Sequence, residues 1–281
     1  MDERQKHLYD LNGYLVVEDV LTRDHCQRLI DELARLFETP NERLPDGIRH
    51  QHRHPSWGQA ADIVCAGPAF RELIDIPVVV DLLKGVVNDR LRLENSYCFW
   101  RRTGCPGLDL HGGGHFDGGG QDTTFLYRHH NGRIFGGLTV VAFALTDVSE
   151  EEGGFTCIPG SHKANFMIPP ELRDLNRGEL DRSLIRCVPS KAGSVTVFTE
   201  ALCHGAIPWA SDRDRINLFY KYNHVAVKWH GGFPPDEVLA AMTPSQQAFY
   251  YDVWSDPRVP PKLPRVGDRW RELLPADLRN L

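Results

Sequence analysis

The sequence predicts a mainly β protein with helices at both ends. Three observations carry this expectation. From about residue 90 to about residue 225 the chain is a series of short runs rich in Val, Ile, Thr and Phe, divided by Gly, Pro and Ser. Ahead of that region one segment has its apolar residues at helical spacing, and behind it the texture returns to helix. Short strands at regular spacing suit a sandwich or barrel. The expected plan is a cupin-like, jelly-roll core over about 90–225 with helical flanks, all of residues 1–281 forming one domain.

The elements follow in order. "GYLVVEDVL" reads as a short strand. In "TRDHCQRLIDELARLF", Cys26, Leu29, Ile30, Leu33, Leu36 and Phe37 recur on one helical face, and Thr22 or Asp24 can cap the start. "ERLPDGIRHQHRHPSWG" reads as irregular, with His50, His52 and His54 in a solvated or rim loop. "AFRELIDIPVVVDLLKGVVN" predicts two short helices split at Pro77. Strands are then expected in "RLRLENSYCFWR", "GLTVVAFALTDV", "GGFTCIPGSH", "LIRCVPS", "GSVTVFTEAL" and "RINLFYKYNHVAV". "YRHHNGR" has turn chemistry at Asn131-Gly132 and is expected at the entrance to the barrel. "PPDEVLAAM" and "PSQQAFYYDVW" return to helix before a Pro-rich tail.

Composition narrows the function classes. Of the 281 residues, 41% are hydrophobic and 25% charged, as in an ordinary soluble globular protein. A formal net charge of -6 argues against nucleic acid as a partner, although one or two arginines could still hold a small anion. No long apolar run suggests a membrane partner, and the charged start "MDERQKHLYD" carries no secretory signal. Seven scattered cysteines without a CxxC pair argue against a disulfide framework, so a cytoplasmic setting is expected.

The chemistry is concentrated in "LHGGGHFDGGG", residues 110–120, where His111, His115 and Asp117 sit among six glycines. On a strand, residues i and i+2 share a face, so His115 and Asp117 would aim an imidazole and a carboxylate at one point. Two histidines and one carboxylate leave iron(II) with open positions for a cosubstrate and dioxygen. A distant His204, in "TEALCHGAIPW" at a strand end, can supply the third ligand. Arg215 follows His204 by eleven residues and starts a strand, so an antiparallel return would carry its guanidinium into the same barrel. The planar fork of arginine binds a carboxylate bidentately, which suits 2-oxoglutarate. Arg213, in the middle of the charged turn, is the better candidate for a surface ion pair. On the aromatic strand Tyr97, Phe99 and Arg101 share one face, and Ser96, Cys98, Trp100 and Arg102 the other; either could line a pocket. Thr139 and Phe143 are candidates to face inward, and His162 in "PGSHK" is expected to be structural.

In these stretches the sequence resembles the phytanoyl-CoA dioxygenase family of iron(II)- and 2-oxoglutarate-dependent oxygenases. The resemblance lies in "NGYLVVEDVLT", the HxD candidate, "GLTVVAFALTDVSEEEGGFTCIPGSHK" and "GSVTVFTEALCHGAIPWASDRDRINLFYKYN", spanning roughly residues 12 to 224. It implies a double-stranded β-helix, and iron held by His115 or His111, by Asp117 and by His204. It also implies that Arg215 binds the far carboxylate of 2-oxoglutarate; the reading of strand faces adds Tyr97 and Thr139 as further candidates for that cosubstrate. The activity implied is oxidation of a small-molecule metabolite by dioxygen, coupled to decarboxylation of 2-oxoglutarate to succinate.

One departure from the family pattern leaves two registers open. The family's "LHxD" matches Leu110-His111, which puts Gly113 where the carboxylate belongs; the HxD lies four residues later. A His115/Asp117 site needs only a local strand and is the first expectation. A His111/Asp117 site must fold back about 20 Å of extended chain, which Gly112 to Gly114 permit. A His111 site without a protein carboxylate would leave room for chloride, as in halogenases of the superfamily. A catalytically silent ligand-binding barrel is the expectation from outside enzymology.

Overall fold

The computed structural model describes residues 1–48, 51–112, 126–166, 168–176, 183–230 and 233–250. In chain order the elements are α1 (Glu3–Asn12), β1 (Tyr14–Val17), α2 (Arg23–Glu38), β2 (Gln51–His54), β3 (Trp57–Ala61), α3 (Pro68–Arg71), α4 (Pro77–Val86), β4 (Leu91–Arg101) and β5 (Leu108–His111). There follow β6 (Arg128–His130), β7 (Arg133–Phe135), β8 (Thr139–Ala144), β9 (Gly154–Cys157), β10 (Arg186–Cys187), β11 (Val195–Thr199), β12 (His204–Ile207), β13 (Arg215–His224), α5 (Asp236–Ala240) and α6 (Pro244–Gln247). No helix among the described residues is long and apolar enough to cross a membrane.

The strands form a seven-stranded sheet, β1-β11-β8-β13-β4-β3-β2, and a four-stranded sheet, β10-β9-β12-β5, with every pairing antiparallel. Helices cover the outer face of the large sheet. On α2, Cys26, Leu29, Leu33 and Leu36 are buried at helical spacing, and Thr22 caps the start by accepting from the His25 N–H at 3.1 Å. Leu29 and Leu33 are fully buried, and each contributes about 2 kcal/mol relative to an exposed position. Pro77 is the first helical residue of α4, where its missing N–H costs nothing. Two tyrosines of β13 tie the sheet to α3 and the segment after it. Tyr220 donates to the Phe70 carbonyl at 2.6 Å and Tyr222 to the Ile74 carbonyl at 2.8 Å. The resulting cluster joins residues from Tyr9 to Tyr250.

Strand parity sorts the side chains. On β8, Val141 and Phe143 point to the helices, while Val140 and Ala142 point between the sheets, where they meet Cys157, Phe198 and Leu202. On β13, Ile216, Leu218, Tyr220 and Tyr222 face the helices. Arg215, Asn217, Phe219 and Lys221 therefore face inward, as do their β4 neighbours Tyr97, Phe99 and Arg101. The ladder slips at Lys221/Tyr222, opposite Glu94, which keeps both halves of β4 in phase with the core.

Three local expectations are corrected. The histidine-rich segment is not wholly irregular: β2 and β3 pair as a hairpin on the edge of the large sheet, where His54 stacks on Trp57 at 5.8 Å. His50 lies outside the described residues. His204 does not end the strand before it but opens β12. Thr139 and Phe143 do not face the barrel interior, because they share parity with Val141. Thr139 donates to the Gly137 carbonyl at 3.2 Å, and its hydroxyl crowds Gly136 together with that of Tyr9. The Asn131-Gly132 turn joins β6 to β7, with φ of 50° and 73° as a two-residue hairpin demands.

Candidate active site

Between the two sheets lies a cavity of about 70 Å³ lined by side chains from β4, β5, β9, β11, β12 and β13. His111, the last residue of β5, and His204, the first of β12, are direct antiparallel partners. Their ring centroids are 4.3 Å apart. Two glycines allow this approach. A Cβ on Gly112 (φ 104°) would lie 2.4 Å from the Leu202 carbonyl oxygen, and one on Gly205 would lie 2.4 Å from that of Leu108. Only residues without side chains let β5 and β12 close so tightly.

Both imidazoles are held in one tautomer. The Nδ1 of His204 lies 2.8 Å from the Leu202 carbonyl, and the Nδ1 of His111 lies 2.8 Å from the Asp109 carbonyl. A carbonyl only accepts, so Nδ1 carries a proton in each ring, and in the neutral tautomer this selects Nε2 holds the lone pair. Such a backbone partner is how metal-ligating histidines are usually oriented. Burial, then repulsion from His111, lowers the His204 pKa to about 3, so this ring is neutral at any ordinary pH. Phe198 and Phe155 shield it, with centroids 4.7 and 5.9 Å away.

A buried ion pair closes one end of the cavity. Lys221 Nζ lies 2.7 Å from Glu200 Oε1, and both side chains are nearly inaccessible. Burial alone would raise the Glu200 pKa, but attraction to Lys221 leads the effects that outweigh it and hold the carboxyl down at about 2. Glu200 is thus a carboxylate in the electrostatic neighbourhood of both histidines. Tyr97 stacks on Phe219 at 4.8 Å, with the Lys221 ammonium 5.7 Å from its ring centroid.

The other end holds two arginines. Arg215 is buried, and its Nε has no hydrogen-bond partner among the described residues. Burial, then the neighbouring Arg101, lowers its pKa to about 9, which still leaves it charged at neutral pH. No carboxylate of the described residues pairs with it. An unpaired buried guanidinium costs several kcal/mol, a cost that an entering carboxylate relieves. The donor set therefore fits both groups that the sequence implied: imidazole lone pairs for a divalent metal, and a buried guanidinium for the far end of a dicarboxylate.

The structure brings His111, His204, Arg215 and Tyr97 to one cavity. His115 and Asp117 lie outside the described residues. Thr139 is on the opposite face of its sheet. His162 lies away from the cavity, buried against Tyr127, with Nε2 3.0 Å from the Asp10 carbonyl. Arg213 pairs with Glu152 at 2.5 Å on the surface. Two polar residues of the cavity lining, Lys221 and Asn217, had no role in the sequence reading, nor had Glu200, the ion-pair partner of Lys221. Parity could have found them, since Glu200 follows the inward Phe198 by two and the other two alternate with Arg215 and Phe219.

Comparison with known proteins extends this picture. The family model for phytanoyl-CoA dioxygenase (PhyH) matches residues 9–217. A probable alpha-ketoglutarate-dependent hypophosphite dioxygenase from Stutzerimonas stutzeri is 22% identical over 234 residues, covering 73% of this chain and 72% of the relative. HygX from Streptomyces hygroscopicus, solved with nickel, 2-oxoglutarate and hygromycin B, superposes with a TM-score of 0.70 at 25% identity, over 81% of this chain and 89% of HygX. The epimerase SnoN, solved with Fe3+, alpha ketoglutarate and nogalamycin RO, shares the fold with a TM-score of 0.60 at 19% identity, over 82% of this chain and 86% of SnoN.

Proposed function

From the premise that the chain belongs to the phytanoyl-CoA dioxygenase (PhyH) family, we propose that it is an iron(II)- and 2-oxoglutarate-dependent oxygenase acting on a small-molecule metabolite. The observation that carries this reading is the facing pair His111 and His204, each with Nδ1 tied to a carbonyl and Nε2 left free. The kinship with HygX, which binds 2-oxoglutarate and hygromycin B, supports the cosubstrate and the substrate class. One domain over 1–281 and a cytoplasmic setting belong to the same reading, supported by the shared core and by seven buried free thiols.

In this reading His111 and His204 hold iron, and His111 takes the place first expected of His115. Asp117 is retained as the candidate carboxylate ligand, and Glu200, paired with the cavity residue Lys221, is a second candidate. Arg215 anchors the far carboxylate of 2-oxoglutarate, and Tyr97 borders the chamber. Bound iron supplies the centre at which dioxygen is activated as 2-oxoglutarate is decarboxylated. Phe155 and Phe198 keep water from the His204 side.

The test is anaerobic titration of the protein with iron(II) and 2-oxoglutarate, followed through the weak visible charge-transfer band. The band is expected in the wild type and in His115→Ala, and lost in His111→Ala and His204→Ala. Its absence from the wild type would overturn the reading. A halogenase variant has one observation in its favour: with His111 in β5, the residue two places on is Gly113. That variant predicts chloride-dependent turnover and full iron binding in Asp117→Ala.

A further inference from the structure

The large sheet sets two positive charges side by side. Arg101 of β4 and Arg215 of β13 are direct Cα partners in an antiparallel ladder. Both point between the sheets, and both line the cavity that holds His111 and His204. Like charges directly opposite on one face of a sheet destabilise it. Here they are also buried, each residue 6% exposed. Arg101 Nη1 and Arg215 Nε have no hydrogen-bond partner among the described residues. No carboxylate of the described residues pairs with either, and the salt bridges at this end involve other arginines: Arg213 with Glu152 and Arg102 with Asp214.

Among the described residues, what holds these side chains is not anionic. The Arg101 guanidinium sits 4.8 Å from the centroid of the Phe99 ring. Arg215 lies under Gly154, where an added Cβ would come within 3.2 Å of its Nε, so the strand backbone fits closely over the guanidinium. The two forks are thus packed in place by neutral groups, with donors left over. Among the described residues the repulsion has no internal partner, and the chemistry that relieves it is an oxyanion lying across both.

We propose that Arg101 and Arg215 form a two-arginine clamp on one carboxylate, the far end of the 2-oxo acid, so that Arg101 sets the preference for a dicarboxylic cosubstrate. The clamp rests on the oxygenase reading above. Because the partners are in register, both reach one group at the same level of the barrel. Each can offer two N–H donors to the carboxylate, and removing one leaves the other still charged and partly served. Arg101 is a binding residue remote from the reacting atoms, so its loss acts on affinity for the distal carboxylate and leaves the metal pair intact.

The experiment compares 2-oxoglutarate with 2-oxopentanoate, which lacks the far carboxylate, by anaerobic titration of the iron(II)-loaded protein and by calorimetry. The wild type is expected to favour 2-oxoglutarate strongly. Arg101→Met and Arg215→Met are each expected to reduce that preference at least tenfold, while iron affinity and 2-oxopentanoate affinity stay near wild type. The double variant should lose less than the product of the single losses, as two groups on one carboxylate require. Arg101→Lys keeps the charge and should recover part of the preference. Metal-free Arg101→Met should also melt higher than metal-free wild type, since it removes the repulsion; this second readout guards against a folding defect. Unchanged preference in a folded Arg101→Met, with the preference lost in Arg215→Met, would overturn the clamp and leave the oxygenase reading standing. No preference in the wild type would instead sink the oxygenase reading on which the clamp rests.

Discussion

His111 and His204 face each other as direct partners across β5 and β12, and each is locked by a bond from its Nδ1–H to the carbonyl two residues before it. The relationship depends on Gly112, whose φ is 104° and whose missing Cβ leaves room for the carbonyl oxygens of Leu202 and Glu200. Gly112→Ala is therefore expected to cost about 1–3 kcal/mol in backbone strain alone. Because the clash falls between the two histidines, iron(II) affinity should drop by about tenfold or more, as when a group that orients a metal ligand is lost. Anaerobic iron titration beside a urea melt checks both effects. Wild-type iron affinity in the alanine variant would show that the approach of β5 to β12 does not shape the site.

The Glu200–Lys221 pair gives an asymmetric prediction. Lys221→Met strands a buried carboxylate, which costs about 3–5 kcal/mol. Glu200→Gln instead leaves an unpaired ammonium beside the histidine pair, so it should weaken binding of a divalent cation as well as stability. Replacing both residues with apolar ones of similar size should recover much of the stability, because it removes two desolvated charges together. Denaturant melts of the two single variants and the double variant, with iron titrations, separate these effects. Strict additivity of the two stability losses would show that the pair is not coupled.

Much of this arrangement is legible in the chain, and the remainder is hidden for physical reasons. The spacing of Cys26, Leu29, Leu33 and Leu36 gives α2 its buried face, and the Val-rich runs give the large sheet. His204 and Arg215 are found because a turn and an antiparallel return put both on inward faces. The helix α1 is invisible to periodicity, since Tyr9 is its only buried residue and its start rests on the Asp2/Gln5 capping box. The β2–β3 hairpin is masked by polar edge residues whose role is stacking, such as His54 on Trp57. Whether His111 or His115 meets His204 is not encoded in local pattern at all. A four-residue strand, "LDLH", carries little signal, and its partner is almost a hundred residues away in the chain. The register comes from Gly112 and Gly205, whose small size matters only once the two strands are in contact.

Acid sensitivity should arise from His162. Its pKa is lowered to about 4, first by burial, and its Nδ1 is buried against Gly13 without a partner among the described residues. The folded value lies below the ordinary 6.5, so the unfolded chain binds the extra proton first. Stability is complete above about pH 6.5 and falls as the pH drops toward 4, with a limiting slope of about 1.4 kcal/mol per pH unit. His204, lowered to about 3, adds to the same acid loss. His162→Gln keeps an N–H for the Asp10 carbonyl and removes one titration. Its stability should fall less steeply between pH 6.5 and 4.5 than that of the wild type, measured by urea melts. Equal slopes would mean that His162 takes up no proton on unfolding.

Thr139 tests the assignment of faces. It sits on β8 in a run where all six residues are buried, so exposure alone does not say which side it serves. Its parity is that of Val141 and Phe143, against the helices, and its hydroxyl donates to the Gly137 carbonyl in the turn before the strand. Thr139→Val keeps the shape and removes the donor. It should cost about 1 kcal/mol, the net worth of one buried hydrogen bond. Affinity for 2-oxoglutarate should stay within about twofold, a difference below 0.5 kcal/mol. A large loss of affinity without loss of stability would place the hydroxyl on the cavity side and reverse the face assigned to β8. Since β8 pairs with both β11 and β13, that reversal would also move Val140 and Ala142 out of the barrel interior.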